Sequence, residues 1–426
     1  MPPPGFAPGS GLPPASGASA HDALPAPPAD ARARLTIAVV GAGLAGLTAA
    51  LALAAKGIAV DILERAPRLD EVGAGLQLSP NATRILGALG VTGALSPLWF
   101  EPAEIRLVDG RTLATLATVP AGDFARMRWG APYAVVARAD LQRALADAVS
   151  AHPLCRLHLG TAVTDASPAD IARHTGQQPD LVVGADGIRS KVRAAMGLSP
   201  ARFSGNIAWR LAVPPGAPVP YPFDPTVVTA FLGRRAHLVA YPMGAAGGLN
   251  LVAIGSGRAE QDGGDVVVRK AVSDLLTGWN HAFGAALPRA EPLGRWPLYE
   301  IVAGSGRPAG WHDDLRVLIG DAAHAMMPFS AQGAAMAIED AAALAEALAP
   351  ILSGAKDMRT ALDSFVAERS LRVEKVRARG AFNRFAYHAS GPVRLGRNLV
   401  LSLRSPERLA EDFDWLYAHR AAGRTP

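Results

Sequence analysis

The residues from Leu35 to Arg65, LTIAVVGAGLAGLTAALALAAKGIAVDILER, leave this chain few folds to choose from. Leu35–Val40 is an unbroken apolar run rich in β-branched residues, the make-up of a strand buried on both faces of a parallel sheet. Gly41, Gly43 and Gly46 follow as G-x-G-x-x-G and open an apolar helix that ends at Lys56-Gly57, after which Ile58–Leu63 is a second apolar run. Gly41 permits the tight turn, Gly43 lets the backbone approach a pyrophosphate, and Gly46 lets helix and strand pack closely. The N–H groups of this loop and first helical turn, with Ala42, Leu44 and Ala45 between the glycines, offer donors and partial positive charge to phosphate oxygens. Glu64 closes the second strand eighteen residues after Gly46, where a carboxylate can accept both hydroxyls of a ribose. It leaves no room for a 2′-phosphate, so FAD or NAD is expected. The window Ile37–Ala55 is uncharged and long enough to cross a bilayer. Its glycine pattern and the strand after it fit strand, turn, helix, turn, strand instead, and no membrane span is expected.

Composition narrows the function classes. At 426 residues, 50% hydrophobic and 19% charged, the chain suits a globular enzyme of two domains or one large core with an inserted layer. The net charge of +5 comes from scattered arginines. Arg369–Arg397 is the one locally basic stretch; it reads as a solvated arginine-rich helix, with no nucleic-acid-binding module beside it. The single cysteine, Cys155, excludes a disulfide framework, a paired-cysteine redox centre and a thiolate metal site, and the histidines lack ligand-like spacing, so no metal is expected. Residues 1–34 hold nine prolines and neither a basic start nor an apolar run, which suits a disordered leader and not a signal peptide. A cytoplasmic protein is expected.

Three later stretches decide which dinucleotide. VVARADLQRAL, Val135–Leu145, places Arg138 just ahead of an amphipathic helix. DLVVGADGIRSKVR, Asp180–Arg193, is a buried strand ending in Asp186-Gly187. RVLIGDAAHAMMPFSAQGAAMAIEDAAALAEAL, from Arg316, runs from a strand through Asp321 and His324 to Gln332-Gly333 and an alanine-rich helix. In this order and spacing they resemble the group A FAD-dependent aromatic hydroxylases, the salicylate hydroxylase, 6-hydroxynicotinate 3-monooxygenase and 3-hydroxybenzoate 6-hydroxylase group, over roughly Leu35–Tyr417. The resemblance implies an α/β fold with a Rossmann-type FAD-binding domain like that of para-hydroxybenzoate hydroxylase, a β-sheet substrate layer and C-terminal helices. It implies FAD, with Glu64 and Arg65 at the adenosine ribose, Gln77 at the cofactor, Arg138 at the pyrophosphate, Asp186 in a motif serving both FAD and the nicotinamide, and Asp321 on the ribityl chain. It makes His324 part of the scaffold. Ser330–Ala335 is expected to begin a helix whose N–H groups, at Gly333 and Ala334, face the flavin N1–C2=O edge, where reduced flavin is anionic. No second G-x-G-x-x-G stands in strand–helix context, so NADH or NADPH is expected as a transient co-substrate.

Between Phe203 and Trp296 prolines and alternating strands replace the parallel-sheet runs. Strand parity puts His237, Val239 and Tyr241 on one face, with about 13 Å between His237 and Tyr241. Related hydroxylases carry H-x-x-x-Y facing the substrate, which implies catalytic roles for His237 and Tyr241; the plain alternative is a pair of locally satisfied sheet residues. Pro328 stands where a 3-hydroxybenzoate-specific branch has a reactive glutamine, which argues against that regiochemistry. The expected divisions are a leader at 1–34, FAD-binding segments at 35–200 and 301–375, a substrate layer at 201–300 and a helical region at 376–426. The expected activity is hydroxylation of a small aromatic acid or phenol with NAD(P)H and O2 through a flavin C4a-hydroperoxide, by a monomer or homodimer. The rivals are a monooxygenase or epoxidase of a larger polyketide or terpenoid, and a flavin-binding protein without turnover.

Overall fold

The computed structural model describes residues 35–69, 75–245, 247–259, 264–302 and 310–420, so the expected leader lies outside the described residues. The fingerprint folds as its pattern predicts: strand Thr36–Val40, helix Leu44–Ala54 and, parallel to the first, strand Ala59–Leu63. They form the middle of a five-stranded parallel sheet ordered Arg316–Leu318, Leu181–Gly184, Thr36–Val40, Ala59–Leu63, Cys155–His158. Leu181–Val183 and Val39 are fully buried, which explains why these strands carry no polar alternation.

A second, seven-stranded sheet runs Glu291–Glu300, Arg202–Val213, Leu249–Ser256, Ala236–Pro242, Val228–Gly233, Glu104–Asp109, Thr115–Pro120. All its pairs are antiparallel except Val228–Gly233 with Glu104–Asp109. This corrects the expected division at residue 200. The hairpin Glu104–Pro120 precedes it yet extends the substrate sheet, because Val108 packs with Phe231 and Phe283 in that sheet's own core. A two-stranded ribbon, Gly75–Leu78 against Ala134–Ala137, is separate from both sheets.

The arginine-rich segment needs a second correction. It forms a thirty-residue helix, Met358–Tyr387, but it is not uniformly solvated: Arg369 is 1% exposed and Arg372 8%. The reason lies on the helix Gly333–Leu348, which buries two consecutive acids, Glu339 and Asp340. Arg369 donates to Asp340 Oδ1 at 2.8 Å and to Glu339 Oε2 at 2.7 Å, while Arg372 reaches Glu339 Oε1 at 2.9 Å. Asn81 donates to Glu339 at 2.7 Å, and Asp340 Oδ2 accepts from the Gly320 N–H at 2.9 Å and meets His324 Nε2 at 2.5 Å. Burial alone would raise both carboxyl pKa values; the opposing charges hold Glu339 below its usual range and Asp340 at about 2. His324 is thereby a structural member of the cluster, as expected.

Arg369→Met leaves two buried carboxylates short of a partner and is expected to lower unfolding stability by about 3–5 kcal/mol. Arg359→Ala breaks only an exposed pair with Asp314 and should cost about 0–1 kcal/mol. Urea melts of the two variants check the contrast.

Candidate active site

Two cavities meet the sequence-derived residues. The first, of about 360 Å³, is lined by Gly41, Gly43, Glu64, Arg65, Arg138 and Asp186 among others, so it gathers the expected nucleotide residues from three separate chain segments. Gly41 has φ +103°, and a Cβ there would lie 2.6 Å from the Ala185 carbonyl oxygen. At Gly46 a Cβ would fall 1.9 Å from the Gly41 carbonyl oxygen. The protein itself requires both glycines. Gly43 differs: its backbone is extended, and a Cβ would meet nothing within 4 Å. Only a group arriving from outside needs that space. Glu64 accepts from the N–H of Ala42 at 2.8 Å and of Ala66 at 2.9 Å, which ties the second strand's end to the glycine turn. Asp186 Oδ2 accepts from the N–H groups of Lys191 and Val192, whereas its buried Oδ1 has no partner among the described residues.

The residues expected at the flavin lie on a different part of the fold. Asp321, expected to end its strand, instead follows it and opens a one-turn helix, Asp321–His324, where it is exposed. The next helix begins at Gly333 and not at Ser330, because Pro328–Ser330 forms a 3₁₀ turn and Ala331 adopts φ +51°, breaking the helical path. Gly333 also has open space where a Cβ would stand. Its N–H and that of Ala334 belong to a helix start with no side-chain cap. Open glycines at both loops, an unpartnered buried Asp186 oxygen and an uncapped helix start fit FAD. Glu64, Arg65, Arg138, Asp186, Asp321 and the Gly333–Ala334 backbone are the groups that would hold it.

The second cavity, of about 720 Å³, lies between the seven-stranded sheet, the Pro328–Ala331 turn and the C-terminal helices. His237 lines it and is 1% exposed; Tyr241 does not. Both side chains leave the strand on one face, as parity predicts, but the cavity covers only the His237 end. The Tyr241 hydroxyl donates to the Gly75 carbonyl at 2.6 Å, and burial lifts its pKa to about 12. Gln77 lines this cavity and accepts from the Tyr133 hydroxyl at 2.8 Å. Pro328 lines it too, with no side-chain donor.

Sequence reasoning missed His388. It ends the helix Met358–Tyr387, and its Nε2 lies 3.0 Å from His237 Nδ1, one ring donating to the other. Phe329 and Tyr387 pack against the His237 ring. Burial, reinforced by the neighbouring imidazole, lowers the His237 pKa to about 3; burial and Arg384 lower that of His388 to about 4. Both are neutral near pH 7, and half-buried His388 leads from the enclosed ring toward solvent. AYHAS in the sequence shows a histidine near a helix end but nothing of its partner 151 residues away.

A glycine-turn dinucleotide cavity and a large, mainly apolar pocket with a buried imidazole in its wall are the parts an FAD-dependent aromatic monooxygenase needs. The FAD binding domain family model matches residues 34–379, and the chain belongs to that family. It is 33% identical over 390 residues to 3-hydroxybenzoate 6-hydroxylase 1 of Aquipseudomonas alcaligenes, covering 89% of this chain and 97% of the relative. It is 32% identical over 394 residues to 3-amino-4-hydroxybenzoate 2-monooxygenase of Streptomyces cremeus, covering 91% and 96%. The solved salicylate hydroxylase substrate complex shares the fold at 21% identity, with a TM-score of 0.71 over 91% of this chain and 96% of that one. Among the described residues no helix is long and apolar enough to cross a membrane, and no group of three or more His, Cys, Asp or Glu is placed to hold a metal ion.

Two predictions follow from these contacts. Gly43→Ala should leave the apoprotein's melting temperature near wild type while weakening FAD retention at least tenfold, whereas Gly46→Ala should destabilise the apoprotein itself; thermal scans and FAD titration separate them. The depressed histidine pKa values mean that the unfolded chain binds more protons between pH 6.5 and about 3–4. Their contribution is therefore fully present above pH 6.5 and is lost as pH falls through that window. His237→Asn/His388→Gln should lose less melting temperature than wild type between pH 7 and pH 5.

Proposed function

We propose that the protein hydroxylates a small aromatic acid carrying a phenolic or equivalent ring hydroxyl, using NADH or NADPH and O2. The observation that carries this reading is the buried His237 imidazole in the wall of the large cavity, backed by His388. FAD, when bound, takes reducing equivalents from the nicotinamide and activates O2 to deliver one oxygen atom to the ring.

The chain's own share is to bind the ring, move one proton and keep water out. Electrophilic attack is faster on a phenolate than on a phenol, so the ring hydroxyl must lose its proton on the enzyme. The tyrosines around the cavity cannot take it: burial keeps Tyr133, Tyr241, Tyr387 and Tyr417 protonated at neutral pH. Neutral His237 can accept it on Nε2, and the phenolate formed beside the ring offsets part of the cost of a buried imidazolium. With Nδ1–H then donating to His388, the proton has a route outward and need not rest at the buried site. Leu107, Val228, Leu232 and Val239 supply apolar walls that exclude water from the oxidant. Tyr241 serves by fixing the Gly75 end of the ribbon that bears Gln77. The nicotinamide has no Rossmann unit of its own and binds transiently. With no membrane-crossing helix among the described residues and a need for reduced nicotinamide, a cytoplasmic monomer or homodimer is the setting that fits. A second reading, a bulkier apolar substrate, draws on the volume and on Phe382 and Phe385, exposed at the same cavity.

NADH oxidation by the FAD-loaded protein is expected to accelerate with one of salicylate, 3-hydroxybenzoate, 3-amino-4-hydroxybenzoate or 6-hydroxynicotinate, giving a product heavier by one oxygen atom. No stimulation by any of them removes the small-acid reading. His237→Asn should lower kcat/KM for the active compound by about 10²-fold or more. Its residual rate should climb with pH as the phenol ionises unaided.

A further inference from the structure

The large cavity is lined by one charged group that has no hydrogen bond or ion pair among the described residues. Three arginines line it: Arg379, Arg397 and Arg404. Arg397 donates to the Asn398 side chain at 2.7 Å and to the Ala386 carbonyl at 2.8 Å, and lies 3.7 Å from Asp109. Arg404 grips both oxygens of Asp412. Arg379 has neither commitment. Among the described residues it makes no hydrogen bond and no ion pair, and its Nε is buried without a partner. Two aromatic rings hold the guanidinium instead, Phe413 at 4.8 Å and Phe382 at 5.8 Å from its carbon. Asp412, the acid that feels its charge, is already paired with Arg404, and the hydroxyls that feel it, Tyr387 and Tyr417, stay protonated.

Two ring faces nearby satisfy none of the guanidinium's N–H donors, and a partly buried cation without an acceptor is costly unless a ligand supplies one. We propose that Arg379 is the anchor for the substrate's carboxylate, taken through its N–H edge, and so the residue that makes this cavity select an aromatic acid over the corresponding neutral phenol. The inference rests on the proposed function and assigns the acid end of the same substrate whose hydroxyl faces His237. The planar fork of a guanidinium matches a planar, bidentate carboxylate better than a diffuse anion. The ring of a benzoate-sized acid then lies across the apolar strands between an imidazole and a guanidinium, and these two polar ends orient it.

The test measures dissociation constants on FAD-loaded protein, from the change in flavin absorbance, for 3-hydroxybenzoate against phenol and 6-hydroxynicotinate against 2-hydroxypyridine. Arg379→Met, which keeps the side chain's apolar stem, is expected to weaken the bound acid roughly tenfold to a hundredfold and to leave its neutral counterpart unchanged. Arg379→Lys should recover part of the loss, and FAD affinity should match wild type in both variants. Equal losses for acid and neutral compound would mean a packing role, a loss of FAD affinity would mean a cofactor contact, and no change for the acid would mean no contact; each overturns the assignment while the hydroxylase reading stands. If none of these two acids, salicylate and 3-amino-4-hydroxybenzoate binds wild type, the small-acid reading and this inference fall together.

Discussion

Two carboxylates that cannot reach water tie together segments from across this protein. Glu339 and Asp340 sit side by side on one helix, and every oxygen they carry has a partner on another segment of the chain. Through Asn81, the helix opening at Pro80 is fixed. Through the Gly320 N–H and His324, the turn before Asp321 is fixed. Arg372 passes the connection on to the Trp415 and Leu416 carbonyls, at 2.8 and 3.0 Å, near the C-terminus. Buried ion pairs recover little more than the cost of desolvating their charges, but a displaced member leaves a bare charge behind. The arrangement therefore discriminates against alternative packings more than it adds stability. The neighbouring helix start and the cavity wall inherit that precision.

The two sides of the site are built on different principles. Around the dinucleotide the backbone does the recognition, so the determinants are absences: a missing Cβ at Gly43, an uncapped helix start at Gly333 and an oxygen without a donor on Asp186. In the large cavity, under the proposed function, side chains would do it against an apolar ground. His237 comes from the sheet, Arg379 and the His388 behind His237 from the long helix and its end, and neither element would make the site alone.

What the sequence disclosed follows this split. Backbone recognition depends on local spacing, so G-x-G-x-x-G, Glu64 and the run through Asp321 to Gly333 could be read directly, with the strand end before Asp321 misplaced by a one-turn helix and the later helix start by the turn at Ala331. Side-chain recognition depends on what a distant element covers. Parity placed His237 and Tyr241 on one face correctly but could not say that the cavity stops short of Tyr241. Nor could it pair His237 with His388. Arg369 and Arg372 looked solvated because a basic helix usually is; their burial is dictated by acids thirty and thirty-three residues earlier. The hairpin Glu104–Pro120 was assigned by its place in the chain, whereas sheets recruit strands by the faces they can bury.

The order of strands in the parallel sheet has a consequence for how the molecule is made. Strand Leu181–Gly184 is covered on its outer side by Arg316–Leu318, which lies about 130 residues further along. Synthesis at bacterial or eukaryotic rates spans that interval in on the order of ten seconds. For that time the nascent chain shows an unpaired, wholly apolar strand edge, the kind of surface that recruits another chain.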